Sequence, residues 1–291
     1  MVRPHAAGHP MSPDPHTHAP ASPRETGWRA VAADAVRCLR FYSRLPAPVL
    51  PWEGDPHAAP DFAVTPRALP IAGAVIGAAG ALVLGLAHAL GFGPALSAAL
   101  AVGALVAATG AFHEDGLADT ADGFWGGHTR ERRLEIMRDS RIGSYGAAAL
   151  VLSLIVRILA LATLVERAGP LAGAMALVVM AALSRTGALD VMIALDPARS
   201  SGASHAVGRP LPRTVATAWA LCAALGLALG LVGGLPLPGL ALAFAAAALT
   251  AWGMTALSRA RLGGYTGDVV GATQQVAEIA AFLALLACLR P

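Results

Sequence analysis

The stretch from His113 to Gly146 carries more acidic side chains than any other part of the chain, and it could support chemistry on phosphate groups. Asp115, Asp119 and Asp122 follow one another at spacings of four and three residues. On an α-helix these aspartates fall within a sector of about 60° around the axis. Carboxylates crowded on one face repel each other, and Mg²⁺, which prefers oxygen ligands, would compensate their charge. The spacing therefore predicts a magnesium site.

Other side chains of this segment extend the hypothesis. Glu114 is a further candidate metal ligand, and His113 or one aspartate is a candidate general base. Five arginines that could bind phosphate oxygens follow closely: Arg130, Arg132, Arg133, Arg138 and Arg141. Acids, a cation and arginines together are typical of phosphoryl transfer. The alternative is a hydrated helix end whose arginines bind anionic lipid headgroups.

Glycines are interspersed among these acids. Gly116 and Gly123 directly follow two of the aspartates, and Gly143 and Gly146 end the segment. Because glycine has no side chain, this pattern predicts that a bulky substrate approaches the backbone here.

The composition indicates a membrane protein. Apolar residues make up 56% of the 291 positions and charged residues only 13%, about half the charged share of an average soluble domain. Three scattered cysteines exclude a disulfide scaffold. All 21 basic residues are arginine, and the net charge is +3. The positions of the arginines along the chain follow the pattern of membrane topology, so the positive charge does not indicate a nucleic-acid partner, and none is expected.

Seven apolar stretches approach the roughly 20 residues that a helix needs to cross a bilayer. They lie at approximately 69–90, 94–112, 146–165, 171–195, 214–233, 238–257 and 272–289. The expected fold is an all-α, polytopic membrane helix bundle with about seven transmembrane helices.

The arginines predict the orientation of this bundle. Seventeen of the 21 lie on the side of the N-terminus and the longer loops, whereas Arg167 and Arg290 lie opposite. Short loops rich in arginine tend to stay in the cytoplasm. We expect the prokaryotic plasma (inner) membrane, with the N-terminus and the acidic segment cytoplasmic and with membrane lipid as a partner.

The N-terminal part divides into three regions. Residues 1–27 are rich in proline and histidine and are expected to form a disordered tail. Residues 28–68 are expected to form an amphipathic helix on the membrane surface followed by a proline-rich loop. Residues 69–291 are expected to be the transmembrane catalytic domain.

Charged residues and pairs of glycines inside the predicted spans indicate how the helices pack. Arg157, Arg185 and Asp190 should face the bundle interior, where they could pair with one another or reach a substrate phosphate. Pairs of small residues four apart predict close helix packing: Gly73 with Gly77, and Gly226 with Gly230. In the segment 258–278, Asp268 and Glu278 are possible further ligands.

Five motifs, in this order along the chain, resemble the cobalamin synthase family (cobalamin-5′-phosphate synthases, or adenosylcobinamide-GDP ribazoletransferases). They are FYSRLP at 41–46, FHEDGLADTADGFWGG at 112–127, RRLEIMRDSRIGSYG at 132–146, LDPAR at 195–199 and LGGYTGD at 262–268. The acidic motif is also similar, in part, to that of CDP-alcohol phosphotransferases. It departs from that pattern because Asp119 stands where those enzymes carry an arginine.

The resemblance implies a Mg²⁺-dependent membrane enzyme of coenzyme B12 synthesis. It would join adenosylcobinamide-GDP to α-ribazole, or to α-ribazole 5′-phosphate, and release GMP with adenosylcobalamin or its 5′-phosphate. We expect the ribazole 5′-hydroxyl to attack the cobinamide-linked phosphorus. Other enzymes of the pathway are possible partners. The alternatives are a phospholipid-forming CDP-alcohol phosphotransferase and a transporter, although the chain shows no clear internal repeat.

The resemblance carries the metal role over to Asp115, Asp119 and Asp122. From the acidic cluster itself we expect these aspartates and His113 to be catalytic and Glu114 to be an additional metal ligand. The substrate would contact six further residues: Arg138, Arg141, Asp139, Arg44, Arg199 and Asp268.

Overall fold

The protein is helical throughout the part of the chain that the structure describes. This computed structural model describes residues 27–53, 55–56, 59–199 and 208–289. Within these ranges the β-structure is limited to one isolated bridge, between Pro197 and Tyr265. The expected all-α fold is confirmed. Of the predicted disordered tail, residues 1–26 lie outside the described residues.

The helices follow one another along the chain in a simple order. They are α1 (Gly27–Tyr42), a 3₁₀ turn (Thr65–Ala68), α2 (Leu69–Ala89), α3 (Pro94–Thr109), α4 (Phe112–Gly126), α5 (Arg130–Ile136), α6 (Ser144–Ala194), α7 (Pro212–Val232), α8 (Leu237–Leu262) and α9 (Gly267–Ala287). Proline stands in the first turn of α2, α3, α7 and α8, where it leaves no intrahelical hydrogen bond unmade.

Within the described residues, five helices are long and apolar enough to cross a membrane, or up to six if the bent pair α3 and α4 forms one span. The five are α2, α6, α7, α8 and α9. Large apolar side chains such as Leu82, Leu249 and Trp252 are exposed on them, as a lipid environment requires. A multi-pass membrane protein is consistent with these helices, and the number seven stays a prediction.

Helix α6 is interrupted near its middle, at Gly169. This glycine has a φ of 87° and a ψ of 168°, and Pro170 follows it. A Cβ on Gly173 would lie 2.5 Å from the Val165 side chain, whereas residues eight apart in a straight helix are about 12 Å apart. The two limbs of α6 therefore fold back on each other as a helical hairpin.

Small residues bring α2 close to α6, as the sequence predicts. A Cβ on Gly73 would lie 2.8 Å from the Ala182 Cα, and one on Gly77 would lie 2.8 Å from the Val178 Cα. Added methyl groups would separate the two backbones.

Helix α1 packs on the 3₁₀ turn and on α2 through one face. Leu39 and Tyr42 are buried on this face. Asp34 accepts a hydrogen bond from Arg67 Nε at 2.7 Å, and Glu53 lies 2.6 Å from Arg40 Nη1. The predicted amphipathic helix is therefore present and is held to the bundle by ion pairs; its position on a membrane surface stays a prediction.

The chain turns sharply between α3 and α4. Gly110 and Ala111 both have left-handed backbone conformations, with φ values of 64° and 59°, and α4 leaves α3 at 88°. The Arg44 guanidinium lies against Gly110, where a side chain would collide with it. The acidic segment therefore forms a helix of its own, because these two residues end α3 and start α4.

Candidate active site

Helix α4 carries the predicted acids, and α9 brings a further carboxylate to the same place. Asp115 is exposed and Asp119 is half-buried on the α4 face beside the N-terminus of α9. A Cβ on Gly116 would lie 2.8 Å from the backbone oxygen of Asp268 and 3.3 Å from the Gly271 Cα. The absence of a side chain at Gly116 therefore lets α9 approach α4 and places Asp268 beside the other two acids.

The three acids influence one another electrostatically. Helix α4 is not by its own length a membrane-spanning segment. Burial, together with the charges of Asp115, Asp268 and Asp122, raises the pKa of Asp119 to about 7. Arg199 partly offsets this effect. A cation at this point would stabilise the charged form of Asp119.

Arg199 and Asp268, both predicted to contact substrate, lie together. The Arg199 Nη1 atom is 3.8 Å from Asp268 Oδ2, and Arg199 Nη2 donates to the Leu134 carbonyl at 3.2 Å. Asp268 Oδ2 is buried and has no hydrogen-bond partner within the described ranges. This ion pair joins the loop after α6 to the N-terminus of α9.

An open cleft of about 1050 Å³ lies on the α4 face that carries the acids. We call it the acidic cleft; its walls include Glu114, Asp115, Asp119, Arg138, Asp139, Leu150 and Leu154. Arg138 is exposed, and its guanidinium makes no hydrogen bond or ion pair with any side chain that the structure describes. The cleft thus combines carboxylates, one uncommitted guanidinium and an apolar wall from α6.

Arg141 and Asp139 neutralise each other at the edge of this cleft. Arg141 Nε donates to Asp139 Oδ1 at 2.9 Å, and Arg141 Nη2 donates to Oδ2 at 2.6 Å. These hydrogen bonds lower the pKa of Asp139 to about 2. Arg141 would have to leave this carboxylate before it could bind a phosphate.

Asp122 holds the start of α6 through hydrogen bonds and does not line the acidic cleft. Its carboxylate accepts hydrogen bonds from the Gly143 N–H at 2.7 Å and the Gly146 N–H at 2.9 Å. The first N–H groups of a helix lack intrahelical partners, and a carboxylate satisfies them well. The predicted metal role of Asp122 stays untested, but both of its oxygens are already engaged.

The glycines of the segment admit protein groups. A Cβ on Gly143 would lie 2.5 Å from Asp122 Oδ1, and one on Gly123 would lie 2.9 Å from the Met137 sulfur. The expectation that these glycines admit a bulky substrate is therefore wrong, because neighbouring elements of the fold occupy the space.

Glu114 belongs to a buried ion network. Arg157 Nη1 donates to Glu114 Oε1 at 2.9 Å, and Gln275 Nε2 donates to the same oxygen at 3.1 Å. Arg157 also binds Glu278 Oε1 at 2.9 Å. Arg157 faces the bundle interior as predicted. Its partners are acids of α4 and α9, whereas the sequence suggests that it could pair with Arg185 or Asp190. Asp190 accepts a hydrogen bond from Trp219 Nε1 at 3.0 Å.

His113 and Arg44 lie away from the acidic cleft. His113 is buried on the other side of α4, with its ring parallel to that of Tyr42 at a centroid distance of 6.1 Å. Arg44 lies at the turn between α3 and α4 against Gly110. The structure therefore gathers Asp115, Asp119 and Asp268 with Arg138 and Arg199, whereas His113 and Arg44 lie apart from them.

The carboxylates of the acidic cleft fit a Mg²⁺ ion that takes few of its ligands from the protein. Among the described residues, no group of three or more His, Cys, Asp or Glu side chains forms a ready metal cage. Mg²⁺ usually keeps several waters and takes one or two carboxylates together with substrate phosphates. Asp115 and Asp119, one helical turn apart in an acidic environment, meet this smaller requirement.

Sequence comparison assigns this arrangement to a family. The family described as Cobalamin-5-phosphate synthase matches residues 34–286, a range that includes the whole acidic cleft. The chain belongs to the cobalamin-5-phosphate synthase family. The resemblance expected from the motifs is confirmed, and the chain is a transferase of cobalamin synthesis.

Relatives within the cobalamin-5-phosphate synthase family span nearly all of this chain, and each is named adenosylcobinamide-GDP ribazoletransferase. A protein of Azorhizobium caulinodans is 48% identical over 261 residues, which cover 90% of this chain and 98% of the relative. A protein of Xanthobacter autotrophicus is 49% identical over 259 residues, which cover 88% of this chain and 96% of the relative. A protein of Brucella ovis is 41% identical over 260 residues, which cover 88% of this chain and 97% of the relative. No solved structure matches the chain significantly.

Proposed function

We propose that this chain joins adenosylcobinamide-GDP to α-ribazole, or to α-ribazole 5′-phosphate, and releases GMP. The product would be adenosylcobalamin or its 5′-phosphate. The names of the relatives support these substrates. The observation that carries the proposal is the acidic cleft, in which Asp115 and Asp119 share one wall with the uncommitted Arg138.

The reaction replaces a phosphoanhydride bond by a phosphodiester bond. A ribose hydroxyl of the acceptor loses its proton and attacks the phosphorus attached to cobinamide. The bond between that phosphorus and the bridging oxygen of the diphosphate breaks, and GMP leaves with the bridging oxygen. An acceptor that carries a 5′-phosphate has no free 5′-hydroxyl. A different ribose hydroxyl must then attack, so the expected 5′-hydroxyl can be the nucleophile only for unphosphorylated α-ribazole.

Asp115 and Asp119 would hold Mg²⁺, which neutralises charge on the diphosphate when it is bound. Arg138 would bind phosphate oxygens on the same side of the cleft. A cleft aspartate is a better candidate than His113 for taking the proton of the attacking hydroxyl, because His113 is buried on the other side of α4. Leu150 and Leu154 would contact apolar parts of the corrinoid.

We further propose that the protein resides in the prokaryotic plasma membrane with the acidic cleft open to the cytoplasm. The concentration of arginines in the longer loops supports this orientation. Both nucleotide substrates would then reach the cleft from the cytosol, while lipid surrounds the apolar helices. Other enzymes of cobalamin synthesis would be partners at the same face.

The test is GMP release by the purified protein in lipid nanodiscs with adenosylcobinamide-GDP, α-ribazole and Mg²⁺. Asp119→Asn should abolish turnover, and Mg²⁺ should raise the thermal midpoint of the wild type more than that of the variant. Glu131→Gln is the matched control, because Glu131 is an exposed acid on α5 outside the cleft. Full activity of Asp119→Asn, or release of CMP from a CDP-alcohol donor in place of GMP, would overturn the proposal.

A further inference from the structure

A second cavity lies on the opposite side of α4 from the acidic cleft. It is partly open and is bounded by α1, α4, α6 and α9. We call it the aromatic cavity, because four of its lining residues are Phe41, Tyr42, Phe62 and Phe112. Nothing in the reaction described above uses this space.

Two residues of the cavity wall each carry a buried polar atom that has no hydrogen-bond partner among the described residues. Tyr265 Oη and Arg185 Nε are buried and make no hydrogen bond within the part of the chain that the structure describes. Tyr265 is 0% exposed and Arg185 is 4% exposed, and both residues line the cavity. Buried polar groups in folded proteins are nearly always hydrogen-bonded. An occupant of the cavity should therefore supply a hydrogen-bond acceptor.

The aromatic rings make the walls suitable for a flat occupant. The ring of Tyr42 lies parallel to that of His113, with an angle of 9° between the planes. Phe41 packs edge-on against Phe62 at 5.3 Å and against Phe112 at 6.3 Å between centroids. Such walls favour planar aromatic ligands through stacking and edge contacts. A lipid acyl chain could fill the space, but it would leave both unpartnered donors unsatisfied.

The aromatic cavity adjoins the acid group at the N-terminus of α9. Gly267 lines the cavity, and the next residue, Asp268, lies beside Asp119. A Cβ on Gly267 would meet nothing within 4 Å, so there is open space at this point. A ring held in the cavity would leave a group attached to it near the acids.

We propose that the aromatic cavity binds the planar heteroaromatic base of the acceptor nucleoside. A ring nitrogen of the base accepts a hydrogen bond from Tyr265 Oη or Arg185 Nε, and the aromatic walls contact the ring faces. The attached ribose then points past Gly267 towards the acidic cleft. This assignment rests on the proposed function, because it identifies the binding site of one of the two substrates.

The sharpest test is Tyr265→Phe, because the hydroxyl that it removes has no hydrogen-bond partner among the described residues. A purely structural role predicts unchanged or slightly higher stability. A role in binding predicts that the dissociation constant of radiolabelled α-ribazole, measured by equilibrium dialysis without donor, rises about fivefold, as expected for one lost hydrogen bond. The KM for α-ribazole should rise similarly, while the KM for adenosylcobinamide-GDP stays unchanged.

Two further variants complete the experiment. Ala188→Leu places a larger side chain in the cavity and should weaken α-ribazole binding more than Tyr265→Phe does. Tyr145→Phe is the matched control, because it removes an exposed hydroxyl outside the cavity and should leave the dissociation constant unchanged.

The outcomes separate this inference from the proposed function. If the wild type releases GMP while Tyr265→Phe and Ala188→Leu bind α-ribazole as the wild type does, the cavity assignment fails and the function stands. A lipid-filled cavity would give that same result. If the wild type binds α-ribazole in a Tyr265-dependent way without releasing GMP, the proposed function fails and the binding site stands.

Discussion

The guanidinium of Arg157 lies 2.9 Å from the carboxylate of Glu114, and both side chains are almost completely buried. On its other side Arg157 binds Glu278, so one arginine of α6 holds together the acid-bearing helix α4 and helix α9. Burial makes the pairing necessary, because an unpaired charge in this position would be strongly unfavourable. The geometry of the acidic cleft therefore depends on a charge that never contacts the cleft.

Replacing Arg157 should destabilise the bundle. Arg157→Met leaves Glu114 and Glu278 without their shared partner, and we expect the free energy of unfolding to fall by about 3–5 kcal/mol. The thermal midpoint in detergent measures the effect. Arg132→Met is the matched control, because the Arg132–Glu135 pair is exposed and should contribute less than about 1 kcal/mol. Equal midpoints for the two variants would contradict the structural role of Arg157.

Asp122 should behave as a helix cap. Asp122→Asn keeps only one acceptor oxygen for the two N–H groups of Gly143 and Gly146, and a loss of about 1–2 kcal/mol of stability is expected. The half-saturating Mg²⁺ concentration should stay unchanged, because Asp119 and Asp115 remain. A large increase in that concentration, with stability preserved, would instead make Asp122 a metal ligand.

The contact of Gly116 with α9 should be sensitive to a single methyl group. Gly116→Ala would push α4 away from the backbone of Asp268 and change the spacing of the acids, so turnover should fall about tenfold or more. Circular dichroism should show that the helices are retained. Gly103→Ala is the control, since a Cβ there meets nothing within 4 Å and activity should persist. Wild-type turnover by Gly116→Ala would refute the importance of this contact.

The two arginines after α5 should differ in their effect on the donor. Arg138→Met removes an uncommitted guanidinium and should raise the KM for adenosylcobinamide-GDP about tenfold. Arg141→Met should have a smaller effect, because Asp139 already holds Arg141. Steady-state kinetics with varied donor measure both. A larger effect for Arg141 would mean that the Asp139 pair opens when the substrate binds.

Much of the architecture could be predicted because it depends on local properties. Apolar stretches of sufficient length and proline positions predict the long helices. The period of the α-helix places Asp115 and Asp119 on one face of α4. This prediction does not depend on whether α4 continues α3 or forms a helix of its own. The small residues at Gly73 and Gly77 likewise predict where α2 approaches its neighbour.

The partners of the acids could not be predicted in this way. Asp122 binds the N–H of Gly143, 21 residues further along the chain, and Arg157 joins Glu114 and Glu278 across 43 and 121 residues. The N-terminus of α6 offers one hint, since Gly143 provides no side-chain cap and a cap from elsewhere is needed.

Composition and periodicity were sufficient for the class of fold and for the acidic helix face, because hydrophobic burial and helix geometry act over a few residues. The roles of Asp122, Glu114 and His113 emerge only when α4 is packed between α6 and α9. Identical carboxylates on one helix then meet different surroundings: one caps a helix, one binds a buried arginine, and two remain open to a substrate. Electrostatic and hydrogen-bond partners depend on distances in space, which spacing along the chain does not encode.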